Sequence, residues 1–230
     1  MSFESTDSFP RLIGDIGGTN ARLAMILAPG EKAEHIEVLP CASFPGPREA
    51  IEHYLQNQGL PRPHWAAIGI ANPVDGDMVR MTNHDWAFSI EALRQAIGLE
   101  RLQFLNDFTA LALAIPALGE RDLRKIGGGQ PVAGRAIGLV GAGTGLGISG
   151  LVPCDSDYAP IEGEGGHVTL AASDAREAAL IATIGRRFPH VSAERVLSGS
   201  GLVTLYQATS ELAGVSPEAL GPADITGRAL

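Results

Sequence analysis

Cysteine is nearly absent from this sequence: Cys41 and Cys154 are the 2 thiols in 230 residues, and they stand in unrelated segments. With no CxxC pair and no Cys/His cluster at zinc spacing, neither a disulfide framework nor a structural zinc site is indicated. A reducing compartment is the expectation. Clusters of positive charge are missing too. Lys and Arg number 17 against 26 Asp and Glu, a net charge of −9, whereas a nucleic-acid partner needs a basic face that displaces counterions. The longest apolar stretch, around Ala110 to Leu118, is shorter than the ~20 residues a membrane-spanning helix requires. Met1 to Pro10 is polar and acidic and lacks the basic-then-apolar pattern of a signal segment. A cytoplasmic protein without nucleic-acid or membrane partners is expected.

What is present is a globular composition, 45% hydrophobic and 19% charged, with enough apolar material for a real core. The anomaly is glycine, 29 residues and about twice the usual share. The glycines come in clusters, as they do where backbone turns tightly or lies close to a ligand.

Along the chain, Arg11 to Asn20 reads as a strand ending in a glycine turn, Ala21 to Ala28 as its hairpin partner, and Ile36 to Ser43 as a third strand. Pro45 to Gln58 has helical spacing, and Trp65 to Ala71 is a short buried strand. Ser89 is placed to cap a helix to Ile97, Leu102 to Leu105 reads as another strand, and a helix from Phe108 to Leu118 stops at Gly119. A second block repeats the opening plan: strand Ala136 to Val140, glycine turn Gly141 to Gly147, strand Ile148 to Val152. Helices follow at Asp174 to Arg187, capped by Ser173, and at Gly201 to Leu212, with a further start at Pro217 to Leu220. From Asp224 to Leu230 no terminating element is evident. Interleaved strands and helices in two matching blocks predict a duplicated α/β fold with two lobes and a cleft between them. Residues 1–118 form a small N-terminal lobe and 119–230 a large lobe, incomplete at its C-terminal end.

Two glycine turns have the chemistry of phosphate cradles. In Asp15-Ile-Gly-Gly-Thr-Asn20, Gly17 and Gly18 let backbone approach phosphate oxygens, Thr19 and Asn20 donate hydrogen bonds, and Asp15 can hold Mg²⁺ directly or through water. The plain reading is a hairpin turn that needs glycine. Gly141-Ala-Gly-Thr-Gly-Leu-Gly147 is a second cradle, with Gly143, Thr144 and Gly145 at its tip. It is no Walker loop, since no Gly-Lys-Ser/Thr follows, and no Rossmann turn, since no helix follows Gly150.

Three further segments carry polar groups. Asn106-Asp107 lies between a strand and a helix, where Asn and Asp commonly cap. The functional alternative is a carboxylate that orients an attacking hydroxyl and takes its proton late, kept ionised by the helix dipole. Both hold if Asn106 caps and Asp107 faces substrate. Glu162-Gly-Glu-Gly-Gly-His167 brings Glu164 and His167 within reach of adjacent hydroxyls, against the plain reading of a solvent loop. Glu194, judged locally, is a surface carboxylate.

Six stretches in order resemble the bacterial glucokinase family, the hexokinase-like branch without a zinc motif: GDIGGTNARLA at 14–24, MTNHDWAFS at 81–89, FLNDFTALA at 104–112, GAGTGLG at 141–147, EGEGGH at 162–167 and ERVLSGSGL at 194–202. The resemblance covers essentially the whole chain. It implies an actin-like ATPase (ribonuclease H-like) fold, ATP and Mg²⁺, and transfer of the γ-phosphoryl group to the 6-hydroxyl of D-glucose in glycolysis. It makes Asp107 the catalytic base, with Asn106, Glu164, His167 and Glu194 on sugar hydroxyls. Asp15, Gly17, Gly18, Thr19 and Asn20, with Gly143, Thr144 and Gly145, face the phosphates, and Asp15 the metal. Asn83 and His84 shape the site. Family members are cytoplasmic and commonly dimeric. Two departures stand out: Asn72 precedes Pro73 where the family more often has a smaller residue, and the chain stops before the family's last part, which predicts an incomplete nucleotide pocket and an underfilled core.

The alternative is a hexose-binding pseudokinase or sugar sensor without turnover. The related repressor and sugar-kinase family shares the Asp-x-Gly-Gly-Thr opening but carries a Cys-rich zinc motif that this sequence lacks. An acetate or glycerol kinase relationship is disfavoured by Glu164, His167 and Glu194, which suit a hexose.

Overall fold

A computed structural model describes residues 8–82, 84–155 and 157–229. The backbone divides into two compact units, Met1–Ala117 and Leu118–Leu230.

The first unit is built on a five-stranded sheet in the order β3-β2-β1-β4-β7. Its strands are β1 (Arg11–Ile16), β2 (Asn20–Ile26), β3 (Glu34–Pro40), β4 (Trp65–Ile70) and β7 (Arg101–Asn106). The first three form an antiparallel meander. β1, β4 and β7 run parallel, joined through α1 (Pro47–Gln58) and α2 (Ile90–Ile97). Leu12, Ile16, Ile68, Ile70 and Phe104 point to one face, where Ile51, Tyr54, Leu93 and Ile97 from the two helices bury them. Strict alternation along β1 and β4 is what directs one set of side chains inward. α3 (Asp107–Ala114) contacts β4 and β7. A short ribbon of β5 (Met78–Arg80) and β6 (Ala87–Ser89) carries Trp86, whose indole N–H donates to the Phe44 carbonyl at 3.0 Å.

In the second unit β8 (Ile137–Ala142), β9 (Leu146–Cys154) and β10 (Asp157–Ile161) form an antiparallel sheet in the order β10-β9-β8. α4 (Ala175–Gly185) packs on α5 (Gly199–Leu212) around Ile184, Val191 and Ala208, and α6 (Pro222–Ala229) contacts α5. Among the described residues no helix is long and apolar enough to cross a membrane. Cys41 and Cys154 are both free.

Several sequence expectations need correction. β3 ends at Pro40, and Cys41–Ser43 turns as a 3₁₀ helix. The helix expected to reach Leu118 ends at Ala114 because Pro116 has no N–H for the helical ladder; Ile115–Ala117 continues as 3₁₀. Its buried face is small, Thr109 and Ala112, while Leu111 is exposed. Asp174, not Ser173, caps α4: its carboxylate accepts the Glu177 N–H at 2.8 Å, and Glu177 reaches back to accept the Ser173 N–H at 2.7 Å. No helix starts at Pro217. It starts at Pro222, whose fixed φ suits a first helical position, with the Gly221 N–H held by Asp224 at 2.9 Å. The stretch from Asp224 thus lies in a helix rather than lacking an element. The β5–β6 ribbon and β10 were not expected, being short and without alternation strong enough to show.

Ile68 is fully buried in the centre of the sheet, whereas Ile36 on the edge strand is 62% exposed. Ile68→Ala is expected to lower unfolding free energy by about 2–5 kcal/mol and Ile36→Ala by less than about 0.5 kcal/mol. Urea unfolding of both variants measures the difference, and equal losses would contradict this sheet.

Candidate active site

Parallel register carries three strand ends to one row. Ile16 pairs with Ile70, and Ile70 with Asn106, while one residue earlier Asp15, Gly69 and Leu105 lie side by side. The chain then turns straight from β7 into α3. The Asn106 side-chain oxygen accepts the Phe108 and Thr109 N–H groups at 3.0 and 3.3 Å, so Asn106 is the cap. Asp107 is left at the first helical position with its own carboxylate accepting the Phe108 N–H at 2.8 Å. Gly69 makes room for this: a Cβ there would lie 3.4 Å from the Ala110 methyl and 3.7 Å from the Asp107 Cα. A larger side chain would push the start of α3 off the sheet. The sequence showed Gly69 as a glycine inside a strand, a signal of close backbone approach that pointed to no particular partner.

Asp15, Asp107, Gly14, Gly69, Phe108, Ala110 and Leu111 line a pocket of about 350 Å³. Asp15 is exposed and lies 3.6 Å from Arg22, its partner across the β1–β2 ladder. Asp107 is half-buried. Burial is the largest influence on its carboxyl and pushes the pKa up; the Phe108 N–H opposes this, and the charge of Asp15 pushes it up further. The net direction is upward, against the downward pull expected of the helix end. Desolvation outweighs the amide at the helix end.

The first glycine turn is pinned from the side. Gly17 N–H donates to the Asn20 carbonyl at 2.9 Å, Cys41 N–H to the Thr19 carbonyl at 2.8 Å, and the Cys41 thiol to the Gly17 carbonyl at 3.4 Å. Gly17 and Gly18 are half-buried, Thr19 and Asn20 exposed. Asn72, the unusual residue before Pro73, is a clip. Its oxygen accepts from the Thr82 N–H (2.9 Å) and hydroxyl (2.7 Å), and its amide donates to the Arg80 and Pro73 carbonyls at 2.9 and 3.3 Å. His84 meets Trp86 edge-on at 5.1 Å, and its Nδ1 is buried without a hydrogen-bond partner among the described residues. Asn83 lies outside those residues.

The second unit gathers the other expected residues. The turn Gly143–Gly145 closes on itself, Gly143 N–H donating to the Gly145 carbonyl at 2.8 Å. Glu164 and His167 sit 3.9 Å apart and are largely exposed. Their two intervening glycines are required by close packing: a Cβ on Gly165 would lie 3.0 Å from Ile148, and one on Gly166 would overlap the Leu146 carbonyl. Glu194 is not the surface carboxylate that local reading expects. It is half-buried and accepts the Leu146 N–H at 2.9 Å.

Oxygen donors alone, Asp15 with Asp107 beside it, suit a hard cation. Among the described residues no group of three or more His, Cys, Asp or Glu could hold a metal.

The glucokinase family model matches residues 12–230. The chain belongs to the glucokinase family. It is 58% identical over 226 residues to a glucokinase of Aromatoleum aromaticum, covering 98% of this chain and 68% of that relative. It is 48% identical over 230 residues to a glucokinase of Chromobacterium violaceum, covering 100% of this chain and 66% of that one. The crystal structure of a glucokinase from an Antarctic psychrotroph superposes with a TM-score of 0.88 at 36% identity, over 96% of this chain and 70% of that structure. The chain thus spans about two thirds of the length of these relatives. Its fold is the α/β actin-like ATPase fold of glucokinases and related sugar kinases.

Because the Asp107 pKa is raised, folding favours its protonated form. Its contribution to stability is fully present below the ordinary carboxylate value of 3.8 and is lost as pH rises through the raised folded value. Asp107→Asn, neutral throughout, is expected to melt above the native sequence near about pH 7, the difference vanishing near about pH 3. Scanning calorimetry across pH checks this, and identical melting at both ends would contradict the burial of the carboxylate.

Proposed function

We propose that this chain is a glucokinase in its own chemistry: it transfers the γ-phosphoryl group of ATP to the 6-hydroxyl of D-glucose, giving glucose 6-phosphate and ADP. The observation that carries the reading is Asp107, a half-buried carboxylate with a raised pKa beside Asp15 in a pocket of about 350 Å³. It stands in a chain 58% identical to a glucokinase.

In this reading Asp107 is the base. It orients the 6-hydroxyl and accepts its proton as the new oxygen–phosphorus bond forms and the bond to the leaving ADP oxygen breaks. A loose transition state needs little proton transfer early, so orientation is the larger part of the task. A pKa raised toward the working pH makes the proton transfer more favourable when it comes. Asn106 has its oxygen engaged as the cap, and its amide, which also bonds the Asp107 carboxylate, offers a second N–H to a sugar hydroxyl. Glu164, His167 and Glu194 take further hydroxyls. Each such polar group discriminates strongly, because an analogue lacking its hydroxyl leaves it unpaired. Gly17, Gly18, Thr19 and Asn20, with Gly143, Thr144 and Gly145, offer backbone and hydroxyl donors to phosphate oxygens. Mg²⁺, held by Asp15 through oxygen, would neutralise phosphate charge when bound. A cytoplasmic location, a place in glycolysis and a homodimer belong to the same proposal.

No specific observation favours a hexose-binding protein without turnover.

A coupled assay for glucose 6-phosphate tests the reading. Asp107→Ala is expected to lower kcat by about 10²- to 10⁴-fold with little change in the KM for glucose. Glu164→Ala is expected to raise that KM by about 10-fold or more. Turnover that survives the Asp107 substitution would remove this residue from its role.

A further inference from the structure

Leu146 lies where three of the glycine-rich and acidic motifs of this chain meet. Its N–H is held by Glu194 Oε2 at 2.9 Å, its carbonyl is the atom that a Cβ on Gly166 would overlap, and it follows the glycine turn directly. A Cβ on Gly145 would stand 2.5 Å from Glu194 Oε2, so any side chain there would displace that oxygen. The same short segment holds the turn at a second point, Gly199 N–H donating to the Gly143 carbonyl at 2.9 Å. The segment is itself braced, with the Ser198 hydroxyl donating to the Glu194 carbonyl at 2.8 Å and accepting the Gly201 N–H at 3.0 Å. The backbone of Gly143–Leu146 is therefore tied to Glu194–Gly201 at both ends, and one of the two ties is a carboxylate.

We propose that Glu194 is a positioning residue for the nucleotide-phosphate turn as well as a ligand for the hexose, and so couples sugar binding to nucleotide binding. This rests on the glucokinase reading above. Oε2 anchors the turn through Leu146, leaving Oε1 for a sugar hydroxyl. A hydrogen bond from an amide to an ionised carboxylate is among the stronger kinds. A hydroxyl on the second oxygen fixes the carboxylate in the orientation that the turn requires, so less ordering remains when phosphate binds. The coupling is positive and, as binding linkage demands, reciprocal. A glycine at 145 follows from the same contact, since any Cβ would displace the anchoring oxygen.

Hydrogen exchange at the Leu146 amide, followed by NMR on the full chain, tests the anchor with no ligand present. Glu194→Ala is expected to speed it by about 10-fold or more, and Glu194→Gln, whose amide oxygen still accepts, by less than about 3-fold. His167→Ala leaves it unchanged. Calorimetric titration with Mg²⁺ and a non-hydrolysable ATP analogue, without sugar, then separates positioning from sugar contact. Glu194→Ala is expected to weaken the analogue by about 10-fold and His167→Ala by less than about 2-fold, while both weaken glucose. Equal Leu146 exchange in the native sequence and Glu194→Ala overturns the proposal, as does an unchanged analogue affinity. Should Glu194→Ala fail to fold, Glu194→Gln decides through the coupling itself: saturating glucose is expected to tighten the analogue by about 5-fold or more in the native sequence and by less than about 2-fold in Glu194→Gln, and equal tightening in both overturns the proposal. If the native sequence takes up no glucose, the glucokinase reading fails, and the exchange data still decide whether Glu194 anchors the turn.

Discussion

In-register parallel pairing of β1, β4 and β7 is the constraint on which the first unit depends. Parallel strands place equivalent residues side by side and leave their carboxyl ends on one edge, which is where ligands bind in open α/β sheets. Here that edge receives Asp15, Gly69 and the Asn106–Asp107 junction because Ile16, Ile70 and Asn106 share one register row. A slip of one residue would send Ile68 and Ile70 to the opposite face. The core that buries them therefore also determines where Asp107 stands. Stability and site geometry are one requirement at these positions, and Gly69 is where they meet, since a Cβ there would already touch the Ala110 methyl at 3.4 Å and a larger side chain would press on the start of α3.

The second unit reaches a comparable result by another route. Its sheet is antiparallel, so no row of strand ends exists to collect functional groups. Turns do the work instead, and they are held by packing against β9. Gly165 and Gly166 press against Ile148 and Leu146, and Glu194 takes the Leu146 N–H. Gly145 and Gly166 mark places where backbone comes closer than a side chain permits, with no positive φ involved. Gly17, Gly145 and Gly166 are absent from the glycines with positive φ, which are Gly30, Gly59, Gly76, Gly98, Gly127, Gly134 and Gly214.

How much of this was legible in the sequence depended on range. The strand–turn–strand units and the caps at Ser89 and Asn106 rest on neighbours within three residues, and periodicity and capping chemistry reveal such features. The family motifs singled out Asp107, Glu164 and His167 individually. Contacts over long separations were not legible. Nothing near Glu194 announces a bond to an amide 48 positions earlier, and Asn72 looked like a mild departure from a family pattern rather than a clip on Thr82. The α4 cap was misplaced by one residue because Ser173 and Asp174 are both good caps, and the reciprocal bonds of Glu177 decide between them. The direction of the Asp107 pKa shift was out of reach for a similar reason. The helix dipole is visible from sequence, but the burial that opposes it is a property of the folded sheet.

That opposition has a functional meaning. A carboxylate at a helix N-terminus, bonded to an amide and open to water, would be a weak base, since everything around it favours the ionised form. Asp107 has the helix end and the Phe108 amide, yet its pKa moves upward because the sheet and α3 take it partly out of water and Asp15 lies nearby. The fold holds the acid where its charged form is less favoured than in water. The cost falls on folding stability, and the return is a group that takes a proton more readily. Sites commonly stand apart from their scaffolds in this way, satisfying packing and register while one titratable group is kept in a state the surrounding structure disfavours.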